Sequence, residues 1–222
     1  MIKRLFDIVI SSTALILLSP VFLLTAILIK LESKGPVFYR GLRVGRYGKL
    51  FKIYKFRSMV DNAEKTGVSS TSNHDMRITR MGKIIRKFKL DEFSQLINVF
   101  VGQMSLVGPR PQVKRYVDEY SEEEKKTLSL RPGITDWASI KFNDEGSIIE
   151  DSGIEDPDEA YSKLIHPIKM KYQLKYLNER SIWIDFKILV FTVLTVISTR
   201  LGGKPLGVPQ LDDEKNKIID KG

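Results

Sequence analysis

The stretch IVISSTALILLSPVFLLTAILI, residues 8–29, runs for 22 residues without a charge. At about 1.5 Å per residue, a straight helix of that length spans the ~30 Å hydrocarbon core of a bilayer. A cleaved signal peptide fits less well. Its apolar region runs to about 7–15 residues and ends at a small-x-small site; here Lys30, Glu32 and Lys34 follow instead. Two features stand against a simple crossing. Pro20, just after Ser19, removes one helical hydrogen bond, which a neighbouring hydroxyl can repair. Positive charge also flanks both ends: Lys3 and Arg4 before, then Lys30, Lys34, Arg40, Arg43 and Arg46 after. The positive-inside rule puts both flanks in the cytoplasm, which needs a helix that enters one leaflet, bends at Ser19-Pro20 and returns. Prolines are also tolerated in spanning helices, so these residues alone leave spanning and re-entrant readings both open.

Outward from this segment, the chain has 222 residues, length for one ordinary domain with an appendage. With 42% hydrophobic and 28% charged residues, global disorder and collagen-like composition are excluded. There is no cysteine, which excludes disulfides, thiolate metal sites and a cysteine nucleophile. The two histidines, His74 and His166, read as surface or helix residues, so a multi-histidine metal site is not expected. Any metal would have oxygen ligands, which favours Mg²⁺ or Mn²⁺. The net charge of +9 is uneven: residues 1–90 hold 18 Lys/Arg against 5 Asp/Glu, and the remainder 18 against 22. The first part therefore faces something anionic, such as a phosphorylated ligand, lipid headgroups or nucleic acid.

The pattern predicts an α+β protein, mostly helical. Val37–Tyr39 and Leu50–Tyr54 read as a basic β-hairpin around Gly41, Gly45 and Gly48. Residues 61–79 read as a mobile loop, and 82–101 as a helix with a charged middle. Gly108-Pro109-Arg110-Pro111 forms a rigid link. A charged helix over 113–128 ends at Arg131-Pro132-Gly133. An extended 134–142 follows, then an acidic surface insertion at 143–159. Two helical stretches close the chain, 157–178 and 182–198; Asp185 and Lys187 leave the last too short an apolar run to span, so it is an interface or core helix. The tail from Gly202 reads as poorly ordered.

Four constellations could carry chemistry. Asp91-Glu92 lies just after Arg86, Lys87 and Lys89. Carboxylates beside cations stay ionised and can hold Mg²⁺ or attack phosphorus; the plainer alternative is a solvated face with Lys87–Asp91 as an i,i+4 pair. The run Lys49–Arg57 alternates, with Lys49, Phe51, Ile53, Lys55 and Arg57 on one strand face. It suits a pyrophosphate or headgroups, or is a generic juxtamembrane patch. Arg110 between two prolines, and Arg131 beside its own turn, suit bidentate phosphate recognition or serve as structural turns.

Taken together, KRLFDIVIS…LLSPVF (3–22), GPVFYRGLRVGRYGKLFKIYKFRSM (35–59), RITRMGKIIRKFKLDEFSQLINVFVGQMSLVGPRPQ (77–112), RPGIT (131–135) and YLNERSIWIDFKILVFTV (176–193) resemble the bacterial sugar transferase family. The likeness is to the small monotopic polyprenyl-phosphate sugar-1-phosphate transferases, or phosphoglycosyl transferases. It covers most of residues 1–200 in the family's order.

The resemblance implies transfer of a sugar-1-phosphate from a UDP-sugar to undecaprenyl phosphate, releasing UMP, at the cytoplasmic face of the bacterial inner membrane. This would be the first membrane step of capsule, exopolysaccharide or glycoprotein assembly, its product passing to downstream glycosyltransferases. Asp91 would be the nucleophile of a covalent phosphosugar intermediate and Glu92 its partner, the two also serving as Mg²⁺ ligands. Lys55, Arg57, Arg86, Arg110 and Arg131 would bind substrate phosphates. Ser19-Pro20 matches the family's helix break, which favours a re-entrant anchor over residues 1–34 among inner-membrane phospholipids. A cytoplasmic catalytic domain with amphipathic interface helices would occupy 35–200, and a flexible tail 201–222. The likeness is to the form without the four-helix N-terminal membrane region of larger members. Phe93-Ser94 stands where Leu-Pro is usual, Gln103 and Gln173 where Asp is common, and Asp136 where Gly is usual after RPGIT. Two other readings compete: a non-catalytic polybasic membrane-anchored binding module, and a Mg²⁺-dependent UDP-sugar pyrophosphatase. A nucleic-acid partner is not expected, because neither stacking platforms nor a recognition helix is evident.

Overall fold

The computed structural model describes residues 2–61, 63 and 75–211. His74, most of the expected 61–79 loop and residues 212–222 lie outside them. The described chain is mostly helical with six short strands.

Helix α1 (Ile2–Glu32) is one hydrogen-bonded helix that runs through Pro20 rather than breaking there. The Ile16 carbonyl, which the Pro20 nitrogen cannot reach with a proton, accepts instead from the Ser19 hydroxyl at 2.8 Å. One flank of α1, from Phe6 to Leu18, packs on the main core. Ile16, Leu17, Leu23 and Leu24 on the other side are more than half exposed.

The expected hairpin is present in nested form. The antiparallel pair β2 (Leu42–Val44) and β3 (Leu50–Lys52) lies inside the antiparallel pair β1 (Phe38–Tyr39) and β4 (Lys55–Phe56). Strand alternation holds for 50–53, with Phe51 and Ile53 buried, and then slips so that Phe56 is buried beside Arg57. The slip occurs because the Tyr54 amide leaves the ladder and donates to Asn98 Oδ1 at 2.8 Å.

The single helix expected over 82–101 is three: α2 (Arg80–Lys87), α3 (Leu90–Phe93) and α4 (Leu96–Phe100). Lys89 adopts a left-handed conformation, φ +53°, which ends α2 and re-aims the chain. The expected Lys87–Asp91 helical pair is therefore not formed across that break.

Strands β5 (Ser105–Val107) and β6 (Gly133–Thr135) pair in parallel. Gly108 and Gly133 approach so closely that a Cβ on Gly133 would sit 2.1 Å from the Gly108 nitrogen, so only glycine fits there. The charged helix of 113–128 divides into α5 (Lys114–Asp118), α6 (Glu122–Lys125) and a 3₁₀ turn, because Ser121 and Glu124 form a capping box. Extended structure stops at Thr135: the Asp136 carboxylate accepts from Ser139 N and starts α7 (Trp137–Lys141). The acidic segment is not a surface insertion either. It forms α8 (Glu145–Asp151) and buries Ile149 against Phe142, Ala160, Tyr161 and Ile165.

Helix α9 (Pro157–Ala160) passes through a π-helical turn into α10 (His166–Glu179), and α11 (Ile182–Arg200) follows. By length and composition α11, like α1, could cross a membrane, against the sequence expectation. Its Asp185 is nevertheless 2% exposed and bonded by Tyr176 Oη and Lys3 Nζ. Residues 202–211 are not the poorly ordered tail that was expected. Leu206 exchanges bonds with the Thr195 hydroxyl, Lys204 O accepts from Ser198, and Leu211 is buried.

Both ends of α1 are bonded to the rest of the domain. At the start, Lys3 pairs with Asp185, and Arg4 donates to Val99 O and Phe100 O. At the end, Glu32 accepts from Met81 N, while the buried Arg57 guanidinium donates to Lys34 O, Ser33 O and Ser33 Oγ at 2.8–2.9 Å. Arg57→Ala is expected to cost about 2–4 kcal/mol of stability, since it removes three charge-assisted bonds at a buried site. Thermal unfolding in detergent checks this. Arg57→Lys should recover less than half of the loss, because one ammonium cannot copy the guanidinium fork.

Candidate active site

Asp91 and Glu92 occupy the first turn of α3, placed there by three side chains. Asn98, fully buried on α4, donates to Lys52 O and accepts from Tyr54 N, docking the helices on the strand segment that leads to Lys55. Ser94 donates to Tyr54 O and Asp91 O, fastening the end of α3 to the same segment. Lys89 donates to Asn143 O at 2.7 Å, which seats the entry of α8 against α3. Lys55 thereby arrives opposite the dyad, its Nζ 3.2 Å from Asp91 Oδ2. The other oxygen, Asp91 Oδ1, is buried and has no hydrogen-bond partner among the described residues.

Glu92 has a different partner. Arg110 clamps it with two N–H groups, one on each carboxylate oxygen, and a further bond to Ile134 O fixes the guanidinium. The strap is held by Gly133 N donating to Pro109 O and by Gln112 donating to Tyr161 Oη. Burial alone would raise the Glu92 pKa; Arg110, Lys55 and Lys89 outweigh it and hold the carboxyl at about 2. Arg110 likewise stays charged despite burial, because Glu92 and then Glu145 face it.

Of the predicted phosphate ligands, Lys55, Arg86 and Arg110 gather at the dyad. Arg86 donates to Ser58 Oγ at 3.1 Å; burial lowers its pKa and the charge of Asp91 opposes that. Arg57 and Arg131 are engaged elsewhere, Arg57 at the end of α1 and Arg131 on Gly102 O. Sequence reasoning missed a buried pair beyond Arg110: Lys169, 2% exposed, donates to Glu145 Oε1 at 2.7 Å and lies over the Tyr161 ring. Its members stand 24 positions apart with no shared periodicity. The one signal in this group was Asn98, a polar residue inside an apolar helical run.

Hard-oxygen chemistry fits a Mg²⁺ ion here. Asp91 offers an unpaired oxygen, and each Glu92 oxygen keeps a lone pair beside its bond to Arg110. Among the described residues no three acidic or imidazole groups converge. A metal would thus take one or two protein ligands and complete its shell from substrate phosphates and water, as Mg²⁺ commonly does.

A buried Asp91 and a part-exposed Glu92, each bonded by a cation, make a class of site able to receive a phosphorylated ligand. Comparison with known proteins gives that class its family. Residues 1–199 match the bacterial sugar transferase family model, and the chain belongs to that family. It is 39% identical over 200 residues to the UDP-N-acetylgalactosamine-undecaprenyl-phosphate N-acetylgalactosaminephosphotransferase of Aeromonas hydrophila, covering 89% of this chain and 44% of that protein. It is 38% identical over 194 residues to the UDP-glucose:undecaprenyl-phosphate glucose-1-phosphate transferase of Klebsiella pneumoniae, covering 86% and 39%. Against the exopolysaccharide production protein PSS of Rhizobium leguminosarum bv. phaseoli it is 36% identical over 208 residues, covering 90% and 98%. The chain thus spans less than half the length of the first two.

The depressed pKa of Glu92 sets a pH signature. Its folded-state pKa lies below the ordinary value of 4.5, so its pairing stabilises the protein fully above that value and is lost as pH falls towards about 2. Glu92→Gln should cost of order 3 kcal/mol at neutral pH. The gap in unfolding temperature between wild type and variant should stay constant down to about pH 5 and narrow below it. Thermal melts across pH 3–7 read this directly.

Proposed function

We propose that this chain moves a sugar-1-phosphate from a UDP-sugar to undecaprenyl phosphate and releases UMP. The observation that carries the reading is Asp91: one carboxylate oxygen is held by Lys55, the other is buried and unpaired, Arg86 faces the same carboxylate, and Arg110 and Lys89 face its neighbour Glu92. The names of the relatives from Aeromonas and Klebsiella support the donor and acceptor classes.

In the first step Asp91 Oδ1 attacks the phosphorus that bears the sugar. The bond from that phosphorus to the bridging oxygen breaks, and UMP leaves with the electron pair. In the second step a phosphate oxygen of the lipid attacks the same phosphorus. The aspartyl–phosphorus bond breaks, the carboxylate is restored, and the sugar is left on a lipid diphosphate. Lys55 orients Asp91 and offsets charge on the incoming pyrophosphate, while Arg86 and Arg110 face the phosphates. Mg²⁺, held by Asp91 and Glu92 together with donor phosphates, would neutralise charge on the leaving UMP. Glu92 keeps Arg110 in place.

The anchor follows from the bonds at its ends. A 31-residue helix is about 46 Å long, more than a bilayer core. Yet Lys3 and Arg4 at its start and Glu32 and Ser33 at its finish all bond to the same domain. A helix crossing the membrane would carry one of these ends away from it. The bonds therefore favour an α1 held to the domain at both ends, its exposed apolar side in one leaflet and both basic flanks on the cytoplasmic side.

Asp91→Asn should abolish lipid product and UMP release while leaving melting temperature and membrane association within experimental error. The assay uses Mg²⁺, undecaprenyl phosphate and a panel of UDP-sugars. Wild-type rates from Asp91→Asn would refute the assignment. Single cysteines at positions 3 and 34, in a chain with no native cysteine, should both resist a membrane-impermeant thiol reagent applied from the periplasm. Labelling at position 3 alone would establish a spanning helix.

A further inference from the structure

The first two turns of α1 carry three charged groups ahead of the apolar run, and two of them bond elements continuous with the dyad helix and with the Arg110 link. Asp7 stands one residue before the uncharged stretch and is 2% exposed. A carboxylate in such a place is costly unless its hydrogen bonds are replaced. Asp7 Oδ1 accepts from the Leu106 amide at 3.0 Å and from the Ser105 hydroxyl at 3.1 Å. Both donors lie on β5. The pairing of β5 with β6 continues through Gly108 N donating to Thr135 O and Gly133 N donating to Pro109 O, directly into the strap that carries Arg110.

One turn earlier, Arg4 donates to Val99 O at 2.6 Å and to Phe100 O at 2.8 Å. These are the last carbonyls of α4, which follows directly on the dyad helix α3. The dyad is thus presented by two elements: α3–α4 brings Asp91 and Glu92, and β5 with its strap brings Arg110. Both are tied to the first two turns of α1. Lys3, the third charge, bonds neither element directly: its partner Asp185 also accepts from Tyr176 Oη, which joins α11 to α10 and lies 3.4 Å from Val107 O at the end of β5.

We propose that Arg4 and Asp7 are positioning residues, which make the geometry of Asp91, Glu92 and Arg110 conditional on the seating of α1. The dyad is fully assembled only when the anchor helix lies in its groove, so the site is switched on by the same docking that brings it to the lipid acceptor. This inference rests on the transferase reading for its kinetic readout. The coupling itself can be read without turnover.

The test uses the full chain in nanodiscs with Mg²⁺, undecaprenyl phosphate and whichever UDP-sugar gives product with wild type. Asp7→Asn is expected to lower kcat about ten- to hundred-fold while the donor KM changes less than about two-fold, because groups move without losing their identity. Lys3→Met, at the same end of the helix, should lower melting temperature at least as much as Asp7→Asn and leave kcat within about two-fold. Ser105→Ala removes one of the two donors to Asp7 and should lower kcat by a smaller factor. Combined with Asp7→Asn it should add nothing further, since both act through one contact. If Asp7→Asn fails to fold, Ser105→Ala alone decides, and an unchanged kcat there overturns the inference. An Asp7→Asn variant with wild-type kcat overturns it too, as does a loss of kcat that Lys3→Met matches. Nitrogen NMR of the Arg110 guanidinium separates the two levels of the account. Its signal should shift in Asp7→Asn and not in Lys3→Met. That shift stands or falls even if wild type turns over no donor, a result that would count against the transferase reading alone.

Discussion

An ionised carboxylate can leave water only where fixed charge and hydrogen bonds replace its hydration. The site half of this molecule is arranged around two such groups, Asp91 and Glu92. Glu92 is matched on both oxygens by Arg110, which in turn faces Glu145, whose own partner is Lys169. The signs alternate from the buried lysine outward to the dyad, so each charge is compensated by the next. Asp91 is the exception, matched on one oxygen only. Asp136, which also faces Arg110, keeps a second buried oxygen without a partner among the described residues, but on the proposed reading it is the Asp91 oxygen, beside Lys55, that attacks.

The backbone bends to serve this arrangement. A continuous helix over 82–101 would have paired Lys87 with Asp91 on a solvated face. The left-handed Lys89 prevents that and turns the carboxylates towards Lys55 and Arg110. Such a conformation costs of order 1 kcal/mol or more for a residue with a Cβ. It is held by the Lys89 ammonium bonding Asn143 O and by Asn98 and Ser94 fastening the following turns. The anchor helix belongs to the same system, since Arg4 and Asp7 tie it to the two elements on which the dyad and Arg110 are mounted.

What was legible in the sequence follows from how far apart the interacting residues lie. The apolar anchor, the hairpin, the proline strap and the dyad are local patterns, and the chain announced each of them. Lys55, Arg86 and Arg110 come from compact motifs and lie beside the dyad, while their contact with phosphate belongs to the proposal. Arg57 was read as a phosphate ligand, but composition cannot say that its guanidinium closes the end of α1. The helix breaks at Lys89, Ser121 and Asp136 were missed for a different reason. Capping and a left-handed turn compete with hydrophobic periodicity, and periodicity was given precedence. The acidic segment 143–159 was the largest misreading. Its charges looked solvated, yet Glu145 is paired with a lysine 24 residues away that only the folded chain brings near.

The central claim is that Asp91 forms a covalent bond to phosphorus before the lipid takes part. It is tested most directly by incubating the protein with a UDP-sugar it uses, Mg²⁺ and labelled UMP, with no acceptor lipid present. If Asp91 is the nucleophile, the first step runs backward as well as forward, and label must enter the UDP-sugar in wild type but not in Asp91→Asn. Absence of exchange in a wild-type preparation that supports full turnover when lipid is added would mean that the lipid phosphate attacks directly, and would contradict the account.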